Sequence, residues 1–152
     1  MHYTVAQAAR LSGCRIAQLR YWARTELVVP TGTSETGSQP RYSFRDLVAL
    51  RVMHTLLSAG VPTARARLAV TAVRDAGLDL TGLRIVTDGR QVWACHDDGE
   101  ILDALRQGQL ALFVGVDRVA DELNAAVVAF GDERAAFVEQ LVAPEHGATR
   151  VS

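Results

Sequence analysis

Two short amphipathic segments joined through a glycine occupy the first 24 residues, and they constrain the fold more than anything else in the chain. Thr4 stands where a helix would begin. Gln7, three residues on, completes the reciprocal pairing of a capping box. Val5, Ala8, Ala9 and Leu11 then recur at helical spacing until Ser12-Gly13-Cys14 breaks the pattern. Arg15 to Arg24 resumes it, with Ile16, Leu19 and Ala23 on one face and Trp22 expected in the core. A helix, a glycine-containing turn and a second helix make the signature of a helix-turn-helix.

The pattern continues beyond that pair. Val28-Val29-Pro30 leaves the second helix, and Thr31 to Pro40 (TGTSETGSQP) is a polar loop punctuated by glycine and proline. Arg41-Tyr42 closes it, so a wing is predicted between two β-prone ends. Ser43, with Asp46 three residues on, caps a helix through Leu47, Leu50, Met53, Leu56 and Leu57 that ends at Gly60. Thr63 is expected to cap the next, with Ala66, Ala69, Val70 and Val73 inward and Arg65, Arg67 and Arg74 more exposed, up to Gly77.

The rear half changes character. Leu83 to Thr87 and Arg90 to Cys95 flank Asp88-Gly89, a strong hairpin signal. Asp97-Asp98-Gly99 predicts a turn, Glu100 to Arg106 a short helix and Leu110 to Val114 a buried strand. Asp117 is placed as the cap of a helix carrying Val119, Ala120, Leu123, Val127 and Phe130. Asp132 starts a last helix with Phe137, Val138, Leu141 and Val142, and a frayed tail follows from Pro144. The expected fold is mostly α with a small β component. A winged helix-turn-helix fills residues 1–77, and a small α+β domain with a β-hairpin and two terminal helices fills 78–152.

Charge follows the same division. All 16 cationic side chains are arginine, and the net charge is −1. Residues 1–77 carry ten arginines against four acids, a net of +6, while residues 78–152 carry six against thirteen, a net of −7. Such a split suggests a polyanion-binding module joined to an acidic one, and attraction to phosphate depends on the local charge. The plainer alternative is two regions that merely differ in surface charge. Hydrophobic residues make up 49% and charged residues 22%, a globular balance. No apolar run approaches the roughly 20 residues that cross a bilayer. The opening MHYTVAQAARLSG lacks the layout of a secretion signal, and Cys14 and Cys95 are too few for a disulfide framework. The chain reads as soluble and cytoplasmic, with no membrane partner.

Taken together, the front half resembles the MerR family of winged helix-turn-helix regulators. The resemblance covers roughly residues 2–76. It rests on Thr4-Val5-Ala6-Gln7-Ala8-Ala9, Leu19-Arg20-Tyr21-Trp22, Leu27, Pro30, Arg41-Tyr42-Ser43, Asp46-Leu47, Leu50 and Ala59-Gly60-Val61. It implies a sequence-specific transcriptional regulator that binds double-stranded DNA as a homodimer. Physical chemistry supports the same roles: a helix fits the major groove, and residues near its start face base edges. Arg15, Gln18 and Arg20 lie on the early turns of the second helix. Gln pairs with adenine and Arg with guanine through two hydrogen bonds, each pairing giving roughly 1–3 kcal/mol of discrimination. Tyr21 offers a hydroxyl to phosphate, and Arg24 lies one turn beyond Arg20. The family's wing contacts imply phosphate roles for Arg41 and Tyr42. Arg65 and Arg67 are weaker candidates for a second wing.

The chain also departs from the family pattern. Thr31 follows Pro30 where members have arginine after proline, and Ser38-Gln39-Pro40 precedes Arg41 in place of a glycine-tyrosine run. A hairpin replaces the long dimerising helix, and the cysteine pattern of metal-sensing members is missing. The acidic half is similar, faintly, to the rear part of actinobacterial MerR-like proteins and some MerR-type antitoxins, through Asp88-Gly89 and Gly108-Gln109-Leu110. An alternative function is therefore an antitoxin or interaction module whose acidic half binds a partner protein. A third is a regulator with a small-molecule pocket near Trp93 and Phe113. The stripe from Val119 to Phe130 would either dimerise the chain or pack on the hairpin.

Catalytic chemistry is not expected. Cys95, His96, Asp97 and Asp98 are consecutive and read as turn chemistry rather than a metal site. Neither a phosphate-binding glycine loop nor a nucleophile elbow is present. Cys14 reads as a small buried hydrophobe. No cofactor is implied.

Overall fold

The computed structural model describes residues 2–34, 36–37, 39–76, 80, 82–107 and 112–131. Strand β1 (His2–Tyr3) leads into helices α1 (Val5–Ser12) and α2 (Ile16–Arg24). The wing strands β2 (Gly32–Thr33) and β3 (Pro40–Ser43) precede α3 (Phe44–Ser58) and α4 (Thr63–Asp75). The rear half adds β4 (Arg84–Thr87), β5 (Val92–Cys95), α5 (Asp98–Gln107) and β6 (Leu112–Gly115). A further helix, α6, covers 116–131. The molecule is mostly helical, with two small antiparallel sheets ordered β1-β3-β2 and β5-β4-β6.

Local chemistry accounts for the helix boundaries. Both expected capping boxes form: Thr4 with Gln7 at α1, and Ser43 with Asp46 at α3. Gly13 ends α1 at φ +82°, a conformation in which a Cβ is strained. A Cβ there would also lie 2.8 Å from Nη1 of Arg51, the group that donates to the Ser12 carbonyl and fastens the turn to α3.

Several boundaries differ from expectation. Thr63 does not cap α4; Pro62 occupies the cap position, and its carbonyl accepts the Arg65 and Ala66 amides. Helix α5 begins at Asp98 instead of Glu100, because the Asp97 carboxylate accepts the Glu100 amide. Asp117 lies inside the first turn of α6, where it faces Arg84 at 3.6 Å. The last strand is half-buried: Val114 points into the core, and Phe113 is 46% exposed. Leu110 and the helix expected from Asp132 lie outside the described residues.

One apolar core joins most of these elements. Leu19 and Trp22 of α2, Leu47, Leu50 and Met53 of α3, and Val70 and Val73 of α4 are buried in it. It continues without a break through Leu83, Ile85, Val114, Val119 and Leu123. The stripe of α6 is thus occupied within the chain. Strand alternation explains the rest of the rear sheet. Ile85 faces the main core beside its partners Ala94 and Val114, whereas Val86, paired with Trp93 and Phe113, faces a smaller cluster with Cys95, Ile101 and Ala104. Among the described residues, no helix is long and apolar enough to cross a membrane.

Candidate nucleic-acid interface

Helix α2 buries one side and presents the other. Leu19 and Trp22 face the core. At 100° per residue, Ala17, Arg20, Tyr21 and Arg24 fall on one outward stripe about 100° wide, and all four are exposed. Tyr21 is 54% exposed, with the Arg24 guanidinium 5.9 Å from its ring centroid. Arg15 is the residue that precedes the helix, and Gln18 is a half-buried flank of the stripe.

The wing lies beside this stripe because β3 is anchored on both edges. Tyr3 pairs with Tyr42, and Gly32 pairs with Arg41. Between the start of α1, the second half of α2 and β3 is a cleft of about 570 Å³. Arg20, Arg24 and Arg41 line it together with Thr4, Val5, Ala6 and Gln39, and no carboxylate is among the described residues that line it. The guanidinium groups of Arg24 and Arg41 beside the positive end of α1 make this hollow suited to a phosphodiester.

The expected contact residues are thus separated. Arg20, Arg24 and Arg41 converge on the cleft; Arg15 and Gln18 lie outside it, toward the start of α2. Tyr42 is 1% exposed and lines the base of the cleft. Burial, and then the charge of Asp46, push its hydroxyl pKa up. A phosphate contact from its ring would require it to leave the core, so its place is structural. Arg65 belongs to a separate hollow beside Arg90, and Arg67 is exposed on α4.

Sequence reasoning missed some of this surface. Gln39 and the start of α1 line the cleft, and their contribution depends on the β1–β3 pairing. Arg74 is not a free surface charge: it pairs with the buried Asp46 at 3.2 Å. Across the molecule, no cluster of three or more metal-ligating side chains occurs among the described residues.

The chain is similar to known regulatory proteins. Residues 3–73 match the family model described as "MerR HTH family regulatory protein". Relatives from Mycobacterium bovis and Mycobacterium tuberculosis strain H37Rv, each named an uncharacterized HTH-type transcriptional regulator, are 36% identical over 146 residues, or 94% of this chain. The chain spans 65% of their length. A solved MerR family regulator from Bacillus cereus aligns with a TM-score of 0.46 at 14% identity, covering 93% of this chain and 78% of that one. HiNmlR, described as a MerR family regulator lacking the sensor domain and bound to promoter DNA, aligns with a TM-score of 0.42 at 17% identity, covering 99% of this chain and 94% of that one. The front half of this chain, residues 3–73, belongs to the MerR family of helix-turn-helix regulatory proteins.

Proposed function

We propose that the chain is a sequence-specific DNA-binding transcriptional regulator that places α2 in the major groove. The observation that carries this reading is the convergence of Arg20, Arg24 and Arg41 on one cleft that, among the described residues, no carboxylate lines. Arg15, Gln18 and Arg20 address base edges from the first turns of α2. Tyr21 offers its exposed hydroxyl to a phosphate. Arg24 and Arg41 clamp the backbone from the helix and the wing, contacts that position the protein without reading sequence. Tyr42 holds Arg41 in place from beneath.

In this reading, residues 1–77 bind DNA and residues 78–152 serve assembly or a further partner. The protein acts as a homodimer, since a two-fold reader matches an inverted-repeat site. With Val119 and Leu123 already buried in the chain's own core, the dimer contact is assigned to other apolar groups of the rear half. Leu102, Leu105 and Phe113 are exposed there.

Selection of bound duplexes from a random pool tests the proposal. The account expects enrichment of an inverted repeat, with affinity falling steeply with salt at a log–log slope of about −0.9 per phosphate neutralised. No enrichment, even in dilute buffer, contradicts it.

A further inference from the structure

We propose that Arg74 is a positioning residue for the DNA face: acting through Asp46, it holds the wing at the angle that brings Arg41 to the cleft shared with Arg20 and Arg24. The inference rests on the DNA-binding reading above.

Asp46 lies in the first turn of α3 and is 1% exposed. Its Oδ2 accepts the Thr31 amide at 3.0 Å, the Thr31 hydroxyl at 2.9 Å and the Ser43 amide at 2.9 Å. Thr31 immediately precedes β2, and Ser43 is the last residue of β3. Both roots of the wing are therefore fastened to a single oxygen.

The other oxygen, Oδ1, is buried and accepts no hydrogen bond from the described residues; it faces Nη2 of Arg74 at 3.2 Å. The same Nη2 donates to the Val29 carbonyl at 3.0 Å, in the segment leaving α2. One guanidinium on the last turn of α4 thus ties that helix to the exit of α2 and, through Asp46, to both ends of the wing.

Helix capping does not require this network. The reciprocal pair of Ser43 and Asp46 already completes the cap of α3. The bonds to Thr31 and the ion pair with Arg74 go beyond it, and they act on the segments that carry the cleft arginines. A buried carboxylate deprived of its cation is strongly unfavourable, so loss of Arg74 should release Asp46 from this geometry and the wing with it.

The test is a double-mutant cycle on the full chain, using the tightest duplex recovered from the random pool and working well below the unfolding midpoint. Arg74→Gln and Arg41→Ala should each weaken binding by about tenfold, the scale of one charge-assisted contact. The Arg41→Ala/Arg74→Gln double variant should bind no more weakly than Arg41→Ala alone, because Arg74 acts through Arg41. Amide exchange at Thr31 and Ser43 should quicken in Arg74→Gln. Arg74→Lys, which keeps the charge, should recover part of the affinity, and it takes the place of Arg74→Gln in the cycle if that variant does not fold. Losses that multiply in the double variant, or unchanged binding by Arg74→Gln, overturn the inference while leaving DNA binding intact. A wild-type protein that enriches no duplex overturns the DNA reading, and this inference with it.

Discussion

Gly13 shows how one residue joins the two helices of the motif. Its φ of +82° lies where L side chains are strained, and a Cβ would press on Arg51 from α3. Gly13→Ala should destabilise the chain by about 1–3 kcal/mol, combining the backbone and steric costs, as read from a denaturant midpoint. An unchanged midpoint would mean that Arg51 gives way freely. Gly13 was legible from sequence because its signal is local: a break between two helical patterns. Trp22, expected in the core, is buried, whereas Ile16, expected on the same face as Leu19, is 40% exposed. Tyr42 and Arg74 were not legible, because their environments are set across the fold. Tyr42 is covered through its pairing with Tyr3, and Arg74 meets a carboxylate on another helix. The period of α4 places Arg74 on an accessible face, and the phosphate role of Tyr42 came from the resemblance to the family's wing.

At the scale of elements, caps were the most readable feature. The boxes at Thr4 and Ser43 fix the starts of α1 and α3 as the sequence indicated. The Ser43 hydroxyl accepts the Asp46 amide at 3.1 Å. Ser43→Ala should therefore cost about 1 kcal/mol, the usual value of an N-cap, measured as a shift in the chemical-unfolding midpoint. No shift would show that Asp46 alone sustains the start of α3. The start of α4 was misplaced by one residue because a proline carbonyl can hold the first amides without a side-chain cap. The two-residue strands β1 and β2 are too short to leave a pattern of alternation. They are nonetheless what brings the wing beside α2, so the cleft arginines could be named from sequence before their convergence could be seen.

The whole molecule combines a charge split with a shared core. The arginine-rich front and the acid-rich rear have opposite surface character, yet Val73, Ile85, Val119 and Leu123 belong to one buried cluster. Charge was visible in the sequence because it is a count. The continuity of the core was not, because it depends on how the rear sheet packs against α4. In the proposed reading, the local positive charge of the front half is what draws it to a polyanion. That account depends on α2 reading the duplex, and Arg20 is the residue whose removal isolates the point. Among the described residues, its side chain makes no hydrogen bond or ion pair, so Arg20→Ala should leave the thermal midpoint unchanged. The decisive measurement is the affinity of wild type and Arg20→Ala, at one fixed salt concentration, for the selected duplex and for a random duplex. The account predicts that the variant loses roughly 1–3 kcal/mol of preference for the selected site while random-sequence binding changes little. Equal preference in the two proteins would contradict the placement of α2 in the groove.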